Sequence, residues 1–185
     1  ALKVETVIHS DWQIELLRRA RVTDVRCHVK VNSGMNRLGF APADVPRVRA
    51  ELLAIPGVRV IDCVTHFANA EPSYPAGRPA TVASQLGRMG ELATGSSAAC
   101  MANSAGILFH DEIRGRAVRA GIVLYGVSPD ASISSESLGI IPAMTLRARI
   151  IAIQNVAPGE AVGYGSRWVA KRPPRIAVVA CGYAG

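Results

Sequence analysis

The stretch His28-Val29-Lys30-Val31-Asn32-Ser33-Gly34-Met35-Asn36-Arg37-Leu38-Gly39-Phe40 decides how this chain folds. Apolar and polar residues alternate through Val31, as in a half-buried β-strand, and Asn-Ser-Gly then breaks regular structure. The stretch therefore reads as a strand running into a loop. In parallel α/β proteins the loops beyond the carboxyl ends of the strands open onto a common crevice, so chemistry is expected there. Lys30 near the strand end and Arg37 in the loop put two cations near one mouth, with no acidic residue between them. They predict a site for something anionic.

The same rhythm extends on both sides. Residues 4–9 read as a strand, Ser10-Asp11 as an N-cap, and 12–20 as a helix with Ile14, Leu17 and Ala20 on one face. His9, at the end of the first strand, reads as structural. Pro42 suits a turn or first helical position, and 45–55 follow as a helix that Pro56-Gly57 ends. Residues 58–65 are the next strand, with His66 at its carboxyl end. Residues 69–80 form a loop rich in Pro and small residues, and a helix is expected from about 81 to 93. A short strand over 98–102 leads to Asn103-Ser104, where a short helix opens, and 117–125 are expected as a further strand. Strand and helix alternating through short connections is the pattern of a barrel or of an open parallel sheet.

Residues 130–139 are polar, rich in Ser and without periodicity, and read as a linker. Beyond them 144–156, 161–164 and 175–181 look like consecutive strands without helices, which suggests a separate β domain. The expected division is 1–133 for the α/β part and 134–185 for the start of an all-β domain. A complete eight-stranded α/β barrel needs about 250 residues. With 185 residues, the chain is expected to be the middle and part of the end of a longer protein.

Hydrophobic residues make up 49% of the chain, which suits a buried sheet, and no apolar run approaches the roughly 18 residues of a membrane span. The net charge of +7 comes from 18 Arg and 3 Lys against 14 acidic residues. The arginines are scattered and aromatics are 5%, which argues against a nucleic-acid surface of clustered basic and stacking residues. Cys27, Cys63, Cys100 and Cys181 lie far apart, without the close spacing of a metal or redox pair. No metal site is expected. The cysteines read as reduced residues of a protein in a reducing, cytoplasmic compartment.

Residues 30–40, Lys-Val-Asn-Ser-Gly-Met-Asn-Arg-Leu-Gly-Phe, resemble the signature of alanine racemases, pyridoxal-phosphate enzymes that interconvert L- and D-alanine. Five further stretches resemble the same family in the same order. They are Thr65-His66-Phe67-Ala68, Asn103-Ser104-Ala105, 119–126 (Arg-Ala-Gly-Ile-Val-Leu-Tyr-Gly), Val162-Gly163-Tyr164-Gly165 and Gly182-Tyr183-Ala184-Gly185. The resemblance implies a partial TIM-type (β/α)8 barrel followed by the start of a C-terminal all-β domain, pyridoxal 5'-phosphate as cofactor, alanine as substrate and a homodimer with a shared active site.

Pyridoxal phosphate needs a lysine, a phosphate cradle, a partner for its pyridine nitrogen and proton-transfer groups. Ser104 at a helix start and Gly121-Ile122, where the backbone can approach closely, supply a cradle, and by resemblance Asn103 belongs to it. Arg119 by resemblance faces the pyridine nitrogen. As a guanidinium it donates hydrogen bonds without giving up a proton, which keeps that nitrogen unprotonated. His66 is implied to be its hydrogen-bonding neighbour. Arg37 is implied to hold the phenolic oxygen of the cofactor or the substrate carboxylate, and Lys30 matches a lysine that is carbamylated in many members. Tyr164 matches the second catalytic base, reaching the site of the other subunit. Tyr183 resembles a substrate-side tyrosine, although the family has Gly-Tyr-Ala-Asp-Gly where this chain has Gly-Tyr-Ala-Gly.

The family carries its Schiff-base lysine in an amino-terminal barrel strand, and Lys3, Lys30 and Lys171 do not match that motif. The complete protein is therefore expected to be an amino-acid racemase by two-base proton exchange, and this stretch alone to be inactive. A related pyridoxal barrel acting on another amino acid, such as serine, and a non-catalytic cofactor-binding fragment are the alternatives.

Overall fold

In the computed structural model, which describes residues 4–93, 100–113, 115 and 117–182, strand β1 (Thr6–Ile8) is followed by helix α1 (Asp11–Ala20) and strand β2 (Val25–Lys30). Helix α2 (Val45–Leu53), strand β3 (Val58–Val64), helix α3 (Val82–Met89) and helix α4 (Ser104–Phe109) complete the α/β part. The three strands form one parallel sheet in the order β1-β2-β3. Its edge is continued by a parallel bridge between Val64 and Cys100, and then by a hydrogen bond from Arg119 N to the Ala102 carbonyl at 2.8 Å. Successive chain segments thus lie side by side in sequence order, the arrangement that βα connections produce.

The alternation in the signature stretch sorts its residues by face. Cys27, Val29 and Val31 are completely buried, with Ile14, Val45, Val48 and Leu52 in the same core. Burial of each such aliphatic side chain is worth roughly 1.5–3 kcal/mol. His28 and Lys30 project from the opposite face.

Several elements differ from the sequence reading. Ser10 has the extended backbone of an N-cap, but its hydroxyl makes no cap bond; the Gln13 side chain instead accepts the His9 amide at 2.7 Å. The helix expected to reach 93 ends at Met89, because Gly90 turns to φ +48° and 90–93 continue as a 3-10 turn. Residues 117–125 are not one strand: the chain bends at Gly121 and Ile122–Tyr125 form a 3-10 turn, with the amides of Gly121 and Val123 bonding Ser104 Oγ. The expected linker is also not a solvated tether. Asp130 is buried and accepts hydrogen bonds from Ser73 N at 2.8 Å and from Ser132 N and Oγ at 2.9 and 2.6 Å.

The chain divides into two compact units, Ala1–Ala143 and Met144–Gly185. In the second, β4 (Ile150–Asn155) precedes β5 (Ala161–Val162), β6 (Trp168–Val169) and β7 (Arg175–Val179). β4 pairs antiparallel with β7, and β5 with β6. The strand expected over 144–156 is confined to β4. Among the described residues no helix is long and apolar enough to cross a membrane.

Candidate active site

The face of the sheet opposite the core opens onto a cavity of about 450 Å³, with Lys30, Arg37, His66, Cys100 and Arg119 in its wall. Lys30 ends β2, His66 lies two residues beyond β3, Cys100 bridges to Val64, and Arg119 adjoins Ala102. Neighbouring parallel segments therefore deliver these groups to one place, as expected at carboxyl strand ends.

Arg119 organises the wall. It donates to the carbonyls of Cys100 and Thr65, and its Nη2 lies 3.1 Å from His66 Nδ1. A guanidinium has donors only, so Nδ1 must accept and the His66 proton must reside on Nε2. Burial, then the positive charges of Arg119, Lys30 and Arg37, push His66 down to about 4, which matches that neutral tautomer. Lys30 is lowered to about 8 by burial and by Arg119 and Arg37. Like charges thus converge here, and an anion would relieve them.

The loop that carries Arg37 is shaped by its own side chains. Asn32 Oδ1 accepts the amides of Gly34 and Asn36 at 3.2 and 3.0 Å, and Asn36 takes the left-handed conformation. The loop then returns to pair Phe40 with Lys30 and Asn32 through backbone bonds of 2.9 and 2.8 Å. Gly39, at φ +115°, makes that return possible: a Cβ there would sit 2.8 Å from the Lys30 carbonyl and 2.9 Å from Lys30 Cγ.

Ser104 forms a second cluster beside the first. Its hydroxyl oxygen accepts Gly121 N at 3.0 Å and Val123 N at 3.3 Å. Ser104 and Gly121 each stand two residues beyond the paired Ala102 and Arg119, and Ile122 lies between the two donors. Asn103 caps α4 by accepting Gly106 N at 2.9 Å and donates to the Phe67 carbonyl at 3.3 Å, next to His66. A hydroxyl on which two backbone amides converge is a set of groups that can serve a phosphate oxygen once their mutual bonds are exchanged for it. The residues fit a phosphorylated, electron-poor ring: donors for its phosphate at Ser104 and Gly121, and a fixed guanidinium at Arg119.

Tyr164 is in the second unit, where it opens a 3-10 turn and is fully exposed. Tyr183 lies outside the described residues. Sequence reasoning passed over Gln85, Asp130 and Cys100. Gln85 carried a signal, since it shares the buried stripe of α3 with Val82 and Met89, where a polar residue is out of place unless bonded. Asp130 carried none, because its partner Ser73 is 57 positions away. Among the described residues no group of three or more His, Cys, Asp or Glu is placed to hold a metal ion.

Fold and site together define a parallel α/β layer with a cavity at its strand ends in whose wall Lys30, Arg37 and Arg119 converge, joined in sequence to a small β unit. The family model "Alanine racemase, N-terminal domain" matches residues 1–129, and "Alanine racemase, C-terminal domain" matches 143–185. The chain belongs to the alanine racemase family. It is 45% identical over 185 residues to an alanine racemase of Janthinobacterium sp. (strain Marseille), covering 98% of this chain and 50% of that protein. It is 42% identical to "Alanine racemase, catabolic" of Klebsiella aerogenes, covering 98% of this chain and 50% of that protein. The crystal structure of biosynthetic alanine racemase from Pseudomonas aeruginosa superposes with a TM-score of 0.83 at 39% identity, covering 96% of this chain and 49% of that one. The chain spans about half the length of the curated relatives it matches.

Proposed function

We propose that this chain is the cofactor-holding part of an alanine racemase that interconverts L- and D-alanine with pyridoxal 5'-phosphate. The observation that carries the proposal is the meeting of Lys30, Arg37, His66 and Arg119 on one cavity, with Ser104 and Gly121 two residues further along the adjoining segments. When bound, pyridoxal phosphate supplies an electron sink that acidifies the α-proton of the amino acid. Residues 1–133 are then the later portion of a TIM-type barrel and 134–185 the start of a C-terminal β domain. The parallel βα layer followed by antiparallel pairing supports an α/β part and a β part in that order, although the compact units divide at 143/144 and not at 133/134.

The chain's own residues have distinct tasks. Ser104, Gly121 and Ile122, with Asn103 fixing the turn, hold the phosphate. Arg119 donates to the pyridine nitrogen and keeps its own proton, and neutral His66 supports it from the side. Arg37 holds the phenolic oxygen or the substrate carboxylate. Lys30, lowered to about 8, has a substantial neutral fraction near that pH; its amine can add to carbon dioxide, forming an N–C bond and releasing one proton to solvent, and the negative charge of the resulting carbamate would pair with Arg37. Tyr164 of the partner subunit acts as one base, which makes the enzyme a homodimer, and Tyr183 stands on the substrate side. To act as a base, Tyr164 of the partner subunit must be a phenolate, which neighbouring cations would stabilise.

The opposite base is a lysine from a part of the complete protein outside this chain, so the 185-residue stretch by itself does not racemise. Lys30 is held among Arg119 and Arg37, and Lys171 is in the second unit. The described cysteines are free thiols, in keeping with a reducing, cytoplasmic location.

The test uses the full-length protein with pyridoxal phosphate and a panel of amino acids. Racemisation of alanine above serine and the others supports the proposal; preference for another amino acid replaces the substrate, and no racemisation with stoichiometric cofactor overturns the activity. Borohydride reduction followed by mass mapping must place the adduct away from Lys3, Lys30 and Lys171.

A further inference from the structure

Beneath the loops that carry Arg37 and His66 lies a polar cluster with no part in the chemistry above. Gln85 on α3 is completely buried, and Ser33 and Thr65 are each 1% exposed. Gln85 Oε1 accepts Ala68 N at 2.8 Å, while its Nε2 donates to Ser33 Oγ at 2.8 Å and to the His66 carbonyl at 2.9 Å. Ser33 Oγ is 2.7 Å from Thr65 Oγ1, and Thr65 Oγ1 donates to the Val31 carbonyl at 2.9 Å.

These bonds fix every proton. The one hydroxyl proton of Thr65 goes to Val31, so Ser33 must donate to Thr65 and accept from Gln85. The donor direction runs from Gln85 through Ser33 and Thr65 to Val31 without a choice. A flipped Gln85 carboxamide would set its oxygen against the His66 carbonyl, so the orientation is fixed as well. Gln85 thereby touches both site-bearing segments at once: Ser33, four residues before Arg37, and His66 with Ala68. Arg88, one helical turn on, adds a bond to the Ser33 carbonyl at 3.3 Å.

The segment Thr65–His66 is held from two sides. Arg119 grips the Thr65 carbonyl and His66 Nδ1 from the cavity, and Gln85 grips the His66 carbonyl and the next amide but one from the helix layer. We propose that Gln85 is a positioning residue, setting the spacing between the Arg37 loop and His66 so that the His66 ring meets Arg119 with its unprotonated nitrogen. The proposal rests on the racemase assignment for its effect on turnover, but not for its effect on His66 itself.

The experiment uses the full-length protein and the variants Gln85→Met, Ser33→Ala and Leu52→Ala. Gln85→Met keeps the volume and removes the bonds. Ser33→Ala removes one acceptor and keeps the grip on Ala68 and His66. Leu52→Ala weakens the core on α2, far from the cluster in sequence. The first readout is the His66 ring titration by nitrogen-15 NMR in cofactor-free protein, where the charged groups facing the ring are Arg119, Lys30 and Arg37. Gln85→Met is expected to move that titration upward from about 4, Ser33→Ala to move it less in the same direction, and Leu52→Ala to leave it in place. The second readout is turnover with cofactor: about a tenfold lower kcat for Gln85→Met, with KM for alanine within about twofold.

A folded Gln85→Met protein with an unmoved His66 titration overturns the proposal. So does a Leu52→Ala protein that moves it equally at the same loss of Tm. If Gln85→Met does not fold, the Ser33→Ala titration decides alone. A wild-type protein that fails to racemise alanine defeats the functional assignment, and the His66 titration still judges Gln85.

Discussion

Two polar clusters of the α/β unit lie back to back and are built on opposite principles. On the cavity side, Lys30, Arg37 and Arg119 crowd like charges around a histidine that stays neutral. On the helix side, Gln85, Ser33 and Thr65 are neutral, buried and bonded in a single direction. The first arrangement is costly until an anion arrives; the second is complete in itself. The contrast separates residues that take part in binding from residues that hold them there. His66, half-buried, and Gln85, completely buried, lie 19 residues apart in sequence and differ chiefly in what faces them: cations for the first, neutral donors and acceptors for the second.

The contrast can be broken most sharply at Arg119, which belongs to both sides through His66 and Thr65. In the full-length protein Arg119→Met is expected to lower kcat/KM for alanine about 100-fold, from loss of charge-assisted hydrogen bonds worth roughly 1.5–3 kcal/mol each. It should also raise the His66 titration from about 4 toward 6.5, because a cation and an obligatory donor both disappear. Activity within a few-fold of wild type would place the cofactor's ring elsewhere.

A smaller effect is expected from Gly39→Ala. The new Cβ meets the Lys30 carbonyl at 2.8 Å in a left-handed conformation, a strain of about 1–3 kcal/mol, visible as a fall in Tm and as weaker retention of anions by the displaced Lys30 and Arg37. An unchanged Tm would mean the loop return is not tight. Ser104→Ala takes away the acceptor of Gly121 N and Val123 N, and pyridoxal phosphate affinity should fall about tenfold, the equivalent of about 1.4 kcal/mol. Equilibrium titration of the cofactor-free full-length protein measures it, and an unchanged affinity removes Ser104 from the cradle.

The smallest effect is in the pH dependence of folding. His66 binds its proton near 4 when folded and near 6.5 when unfolded, so between these values the unfolded state holds more protons and stability rises with pH. The same sign holds for Lys30 between about 8 and 10.5. Urea midpoints of wild type should therefore fall from pH 6.5 toward 4 more steeply than those of His66→Asn. Solvent screening at the open cavity keeps the difference modest. Equal slopes would mean that the wall does not hold His66 neutral.

Much of this was legible in the sequence. The alternation around Lys30 predicts which residues enter the core and which face the cavity, because a parallel strand covered by helices on one face leaves little choice. His66 could be placed at a strand's carboxyl end from the pattern alone, whereas Arg119 is placed beside it only by the family resemblance. The segment 117–125 was not legible: Ile122-Val123-Leu124-Tyr125 has strand composition, yet Ile122, Leu124 and Tyr125 are about half exposed or more in a 3-10 turn set by the distant Ser104 hydroxyl. Short apolar runs do not declare their structure without their partners. Asp130 fails for a similar reason, as a buried carboxylate one of whose donors, Ser73 N, comes from another loop.

The most direct test of the central claim is a crystal structure of the full-length protein with pyridoxal phosphate and alanine. The phosphate is predicted within hydrogen-bond distance of Ser104 Oγ and the amides after Gly121, with the pyridine nitrogen at Arg119 and His66 still accepting from that guanidinium. A cofactor bound away from this wall, or one whose ring nitrogen faces a carboxylate instead of Arg119, would contradict it.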